Sequence, residues 1–242
     1  MLEGKNVTVL FGGLAALKEV NFKVGKKEIV GLIGPNGAGK TTLFNCISGI
    51  VRPSKGDIFF NEERITGLSP DQIAKRGIGR TFQIVRPFTD MTGIENVMVS
   101  ILYGRTRSLS FRESRKEAIR LLDFVGLKDK GDMLTRHYTL VDKRKLEIAR
   151  ALAIDPELIL LDEVVSGMNP TETLEAMGLI ERIRKELHIT VFWVEHVMRA
   201  IMNVADKIIV LDYGAKITEG TPREVASDRK VIEAYLGERY AF

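Results

Sequence analysis

Apolar positions change their spacing along this chain, and each change predicts a different kind of element. The first eighty or so residues read as strands. Asn6–Leu10 is one, and Leu17–Val24 alternates apolar and polar side chains, as an antiparallel strand with one wet face must. Glu28–Ile33 is mostly apolar and β-branched, the mark of a strand buried on both faces. Asp57–Phe60 and Gly77–Phe82 are further short strands. Between them Ser69-Pro70-Asp71 supplies an N-cap and a first-turn proline, which open a helix. From Ile84 to about Arg150 the period turns helical: Ile94, Val97, Met98, Ile101 and Leu102 recur at helix spacing, and so do Ala118, Leu121, Leu122 and Val125. Strand and helix then alternate through Leu158–Leu161, Pro170–Leu187, Thr190–Val194, Val197–Asn203 and Lys207–Leu211. Such alternation predicts a mainly parallel sheet with crossover helices. The expected fold is therefore α/β in one domain, residues 1–242. Residues 1–83 and 151–242 would form the core, with an antiparallel β part near the N-terminus. Residues 84–150 would be an inserted helical subdomain.

One segment adds chemistry to this scaffold. Gly34-Pro35-Asn36-Gly37-Ala38-Gly39-Lys40-Thr41-Thr42 fits G-x-x-x-x-G-K-[ST], the phosphate-binding P-loop. It lies between the buried strand and a short helix, Thr42–Ser48, closed by Gly49. In that context the loop N–H groups can surround a β-phosphate at the positive end of the helix dipole. Lys40 would reach the β- and γ-phosphates, and Thr41 would offer its hydroxyl to Mg²⁺. The core is thus expected to be that of a P-loop NTPase.

Other residues gain meaning from that loop. Leu158–Leu161 runs into Asp162 and Glu163, two carboxylates at the C-terminal end of a strand, the edge where open α/β sheets bind ligands. Asp162 would hold Mg²⁺ through a water, and Glu163 would polarise the water that attacks the γ-phosphate. Gln83, following a strand, would touch the Mg²⁺ or that water. The polar pair Glu195-His196 follows Thr190–Val194 and is expected to face the same edge, with His196 bonding the γ-phosphate. Phe11, beside Gly12-Gly13, either packs into the core or stacks on adenine. His137 and His188 have no comparable setting.

Composition narrows the field further. The chain is 45% hydrophobic and 28% charged, an ordinary globular balance, and no apolar run approaches the length of a membrane span. Met1–Asn6 shows no secretory apolar core. The single cysteine, Cys46, excludes an internal disulfide and, within the helix after the P-loop, reads as packing. The net charge of +4 is spread along the chain. Its densest stretch is Arg105, Arg107, Arg112, Arg115, Lys116 and Arg120, broken by Glu113 and Glu117 at helical spacing, so it reads as a solvated helix face rather than a nucleic-acid patch.

Taken in order, these motifs resemble those of the ATP-binding cassette ATPases over almost the whole chain. Gly34–Thr42 is similar to Walker A, Gln83 to the Q-loop residue, and Leu158–Asp162 with Glu163 to Walker B. Ser166-Gly167-Met168-Asn169 resembles the D-loop, and His196 the switch histidine. Smaller matches resemble the ATPase subunits of branched-chain amino acid importers, whose relatives include amide and urea importers. They are Phe11-Gly12-Gly13-Leu14, Thr81-Phe82-Gln83, Arg86-Pro87-Phe88, Met91-Thr92, Glu95-Asn96-Val97, Gly167–Pro170, Val194–Met198 and Glu233–Gly237. The resemblance implies an ATP hydrolase on the cytoplasmic face of the membrane. It would work as a homo- or heterodimer that sandwiches two ATP molecules, each between Walker A of one subunit and the signature helix of the other. It would serve integral membrane permease subunits, whose coupling helix enters a groove just after Gln83, and indirectly a solute-binding protein.

Two departures stand out. Where the family has Leu-Ser-Gly-Gly-Gln, this chain has Tyr138-Thr139-Leu140-Val141-Asp142. Thr139 keeps a hydroxyl able to cap the helix and meet a phosphate. Leu140 and Val141 replace two glycines, and Asp142 puts a negative charge where an amide is usual. Val164 stands where proline is usual after Glu163. The chain is then either a variant that still hydrolyses ATP, or a slower, asymmetric ATPase that relies on a partner with an intact signature. Two other classes are a non-transport cassette ATPase and a module that uses ATP only to dimerise.

Overall fold

The computed structural model describes residues 1–236 and carries two sheets. One is antiparallel, ordered β2-β1-β4-β5, from β1 (Leu2–Phe11), β2 (Leu14–Val24), β4 (Lys55–Phe60) and the two-residue β5 (Glu63–Arg64). The other contains β3 (Ile29–Ile33), β6 (Ile78–Arg80), β7 (Leu158–Asp162), β8 (Thr190–Val194), β9 (Lys207–Asp212) and β10 (Ala215–Gly220), in the order β10-β9-β3-β8-β7-β6. Strands β9 to β6 of that order run parallel, and β10 alone pairs antiparallel, with β9. The expected α/β class therefore holds, with a mixed and mostly parallel sheet.

The central strands are buried on both faces, and period two decides which core each residue enters. Val30, Leu32, Leu158, Leu160, Phe192 and Val194 face the antiparallel sheet and α1 (Lys40–Ile47). There Phe192 packs on Phe22 and Phe44 at ring separations of 6.0 and 5.2 Å. Their neighbours Ile29, Ile159, Leu161, Val191 and Trp193 face α6 (Pro170–Leu187) and α7 (Met198–Val204). Each such side chain contributes about 1.5–3 kcal/mol by leaving water. This double burial pins the strand ends that carry the candidate chemistry.

The middle of the chain forms α3 (Gly93–Gly104), α4 (Phe111–Phe124) and α5 (Leu140–Leu152), which pack on one another and share a continuous core with the sheet through Leu146, Ala149 and Leu152. Helix starts follow sequence chemistry closely. Ser69–Gln72 opens α2 (Pro70–Lys75), and capping boxes at Thr92–Glu95, Ser110–Glu113, Thr139–Asp142 and Asn169–Glu172 open α3, α4, α5 and α6. Thr221–Glu224 does the same for α8 (Pro222–Ser227), and α9 (Arg229–Leu236) follows. In the basic stretch Arg120, 2.8 Å away on α4, and Arg105, 2.9 Å away, both pair with Glu117 and hold its pKa down to about 2. Cys46 is buried, and burial pushes its thiol pKa up to about 12, an inert packing residue. No helix among the described residues is long and apolar enough to cross a membrane.

Candidate functional site

Everything that resembles a motif on the nucleotide side sits at one sheet edge, because β3, β7 and β8 run parallel and end there. After β3 the chain enters the glycine loop. Gly34 has φ 151°, and a Cβ at that position would lie 2.1 Å from the Leu211 carbonyl oxygen, so only glycine fits. Gly39, at φ 101°, is the N-cap of α1, which starts at Lys40, two residues earlier than the pattern predicted. No side chain caps this helix and its first turn holds no acid, so its N–H groups remain for an anion. Lys40 is 5% exposed and folds back, its Nζ donating to the carbonyls of Gly34 at 2.7 Å and Pro35 at 2.9 Å. Burial pushes its pKa down, against the pull of Glu163 and Asp162.

Glu163 is the centre of the arrangement. It follows β7 in the left-handed region, at φ 51°, with its N–H bonded to the Val194 carbonyl at 2.9 Å. Its carboxylate accepts from Gln83 Nε2 at 2.9 Å and lies 2.8 Å from His196 Nε2. The three side chains thus converge from the ends of β6, β7 and β8. A cavity of about 390 Å³ lies over the loop, lined by Asn36 to Thr42, by Leu14 and Lys18, by Gln83, Glu163 and His196, and by the exposed Tyr213. Phe11 is 53% exposed at the end of β1 and is not among the residues lining it. Thr139 is also outside this cavity: it caps α5 on an exposed surface.

Asp162 is deeply set, 2% exposed. Its Oδ2 lies 3.2 Å from Arg80 Nη2, an ion pair that the sequence pattern did not predict, while Oδ1 is buried without a hydrogen-bond partner. Burial raises its pKa, and Arg80 opposes the rise. The Asp162 N–H donates to Thr81 Oγ1 at 3.0 Å, tying the two strands that precede Gln83 and Glu163.

The structure corrects one expectation. Glu195 does not face the edge with His196 but turns inside, 0% exposed. Oε1 accepts the Val165 N–H at 3.0 Å, and Oε2 accepts those of His196 at 2.9 Å and Val197 at 3.2 Å. It joins the loop after Glu163 to the loop bearing His196. Arg144 on α5 is a second unpredicted tie, donating to the Glu163 carbonyl at 2.8 Å. A separate groove of about 670 Å³ runs between the sheet edge and α5, lined by Phe82, Ile84, Arg86, Glu147 and Arg150 among others. Thr41 and Gln83 line both spaces.

The comparisons with known proteins agree with this geometry. Residues 17–166 match the family described as ABC transporter, and residues 215–241 match that described as branched-chain amino acid ATP-binding cassette transporter. That second match extends past the described residues, which also leave out Gly237 of the C-terminal resemblance. The chain is 40% identical to the high-affinity branched-chain amino acid transport ATP-binding protein BraF of Pseudomonas aeruginosa, over 98% of each chain. The ADP conformation of MJ1267, an ATP-binding cassette of an ABC transporter, superposes with a TM-score of 0.89 at 30% identity, over 98% of this chain and 99% of that one. A dimeric post-hydrolysis state of the ATP-binding cassette MJ0796, bound to ADP and phosphate, gives 0.83 at 28% identity, over 92% and 99%. A P-loop, a strand-end carboxylate braced by glutamine and histidine, and these similarities over nearly the full length have one reading: the chain belongs to the ABC transporter family, as an ATP-binding subunit of the ATPase type.

Proposed function

We propose that this chain hydrolyses ATP to drive import of a small solute, of the branched-chain amino acid class or a near relative. The observation that carries the reading is the Glu163 carboxylate, held between Gln83 and His196 beside the P-loop cavity. The solute class follows the BraF similarity and the C-terminal family match.

Each residue then has a task. Asn36 to Thr42 and the α1 N-terminus bind the phosphates, with Gly34 and Pro35 shaping the loop, and Lys40 exchanges its two loop carbonyls for phosphate oxygens. Glu163 orients the attacking water and takes up its proton as the oxygen bonds to the γ-phosphorus and the β–γ bridge breaks. Gln83 and His196 hold Glu163 and donate to the water or to the γ-phosphate as charge builds. Phe11, Leu14 and Tyr213 flank the nucleotide, and Phe11 supplies the adenine contact by a side-chain rotation at its exposed position.

The residues suit Mg²⁺. Asp162 Oδ1 is a buried oxygen with no hydrogen-bond partner, and the exposed Thr41 lines the same groove. This fits an ion that takes few protein oxygens and completes its shell with phosphates and water. Thr41, Asp162 and Gln83 would hold it, and it would neutralise charge on the phosphate oxygens.

The working unit is a dimer, homo- or heteromeric, whose second half of each site is the partner's signature helix bearing Thr139 or its counterpart. Residues 1–83 and 151–242 act as the nucleotide core and 84–150 as a helical unit. The groove between them receives a permease coupling helix at the cytoplasmic face of the membrane, with a solute-binding protein acting through the permease and no nucleic acid involved. The test is Glu163→Gln. We expect ATP binding to persist and turnover to fall by about 10²–10³-fold, as when a group serving the transition state is removed. Turnover equal to the parent in that variant refutes the reading.

A further inference from the structure

Asp142 is the position at which the signature segment departs in charge, and its carboxylate is not directed outwards. Asp142 is 7% exposed. Its Oδ2 accepts from the Thr139 N–H at 3.1 Å and from Lys130 Nζ at 2.6 Å, while Thr139 Oγ1 accepts the Asp142 N–H at 3.1 Å. Lys130 ends a separate 3-10 turn, Lys128–Lys130, and its carbonyl accepts from the Tyr138 hydroxyl at 2.7 Å. The turn is therefore bonded to the signature segment through both main chain and side chain.

Capping alone does not require the lysine. The N3 acids of α3, α4, α6 and α8 are Glu95, Glu113, Glu172 and Glu224, all exposed or half-exposed, and each box closes without a lysine or arginine within ion-pair distance among the described residues. Only at α5 is the acid a buried aspartate, and only there is it ion-paired. Burial acts to raise the Asp142 pKa, but the bonds from Lys130 and Thr139 outweigh it and keep the carboxylate below the usual aspartate range. The group is an anion, and an anion beside a γ-phosphate repels it unless a cation accompanies it.

We propose that Lys130 is a positioning residue of the signature segment: it neutralises Asp142, keeps the carboxylate inside, and so lets Thr139 and the first-turn N–H groups of α5 meet the γ-phosphate of ATP held by the facing subunit. This rests on the dimeric ATPase reading given above. The divergent signature is then electrostatically equivalent to a neutral one, through a residue eight positions before it starts.

A charge-rescue series in the assembled transporter, this chain co-purified with its partner ATPase and permease, tests the assignment. Lys130→Met is expected to lower turnover about tenfold, the scale of leaving one member of a close charge pair uncompensated, with ATP affinity of the isolated chain unchanged. Lys130→Gln, which still donates to Asp142 but carries no charge, is expected to lose a similar amount. Lys130→Met combined with Asp142→Asn is expected to return to within about threefold of the parent, because no charge is left to neutralise. A Lys130→Gln complex that turns over like the parent overturns the inference. So does a double variant as slow as Lys130→Met, which would make Lys130 a strut only. A parent complex that hydrolyses no ATP overturns the functional reading itself, an outcome distinct from either.

Discussion

Under the proposed function the nucleotide face and the signature face both present polar groups to phosphate, and they are built by different means. On the nucleotide face the groups hang from the ends of strands whose other residues are fully buried, and sheet register decides where they point. Gln83 and His196 are both bonded to Glu163, Lys40 is bonded to its own loop, and Glu195 braces two loops from beneath. On the signature face a capping box with one ion pair shapes a single helix N-terminus. Register tolerates little change, whereas a cap needs only a hydroxyl, an acid and, here, a cation. The departures are distributed accordingly: Val164 alone on the first face, but Leu140, Val141 and Asp142 together on the second.

The sharpest way to break the comparison is to loosen the nucleotide face without touching a group that meets substrate. Glu195→Ala removes three acceptor contacts to the N–H groups of Val165, His196 and Val197, and leaves the buried Val165 N–H unsatisfied. A displacement of about 1 Å between Glu163 and His196 is worth about 10²-fold in rate, so turnover should fall by about that factor. ATP binding should persist, since the loop from Gly34 to Thr42 takes no bond from Glu195. Isotope-labelled imidazole signals of His196 should shift in the same variant, reporting its changed distance from Glu163. Wild-type turnover with an unshifted His196 would mean that register alone positions the pair.

How far each face was legible beforehand follows from the same contrast. The central strands, the P-loop and the two carboxylates after β7 announce themselves because apolar runs of four or five residues and a glycine pattern are local signals. Glu195 was visible, but its direction was not: β8 is buried on both faces, so alternation carries no information about which side a following residue takes. The ties from Arg80 to Asp162 and from Arg144 to Glu163 join residues 82 and 19 positions apart and leave no local trace. Tyr213 belongs to a turn between β9 and the edge strand β10, whose polar Lys216, Thr218 and Glu219 hide it from any hydrophobic pattern. The cap at Thr139 was readable from one hydroxyl before a helix. The ion pair with Lys130 was not, since it depends on how a 3-10 turn packs.

A second way to sharpen the comparison uses α5, which begins at the signature and lines the groove two turns later. Glu147, 8% exposed, has its pKa pushed up to about 7 by burial, with Arg150 and Arg144 opposing. The folded protein thus holds a proton that the unfolded chain releases near 4.5, the ordinary glutamate value. Stability from this site is complete below that value and is lost as pH rises through about 7. Glu147→Gln should remove the loss and be more stable than the parent by about 3 kcal/mol at pH 8, with little difference at pH 4.5. Denaturant unfolding at the two pH values measures it. Identical pH dependence in both proteins would show that charge, rather than burial, anchors the middle of α5.

The smallest effect bears on the signature face itself. Leu140 is 55% exposed and Val141 half-buried, so both side chains stand in the first turn of α5 where glycines would leave the backbone bare. With the charge of Asp142 already neutralised by Lys130, bulk is the departure that remains. Val141→Gly should leave ATP binding by the isolated chain unchanged and raise turnover in the assembled transporter by about threefold, less than 1 kcal/mol of barrier. The helix loses a few tenths of a kcal/mol in the exchange, because glycine is the poorer helix former, and the melting temperature should fall slightly. Turnover unchanged in the assembled transporter, with that small fall in stability, would mean that the cap alone sets this face and that side-chain bulk beside it is without consequence for the phosphate.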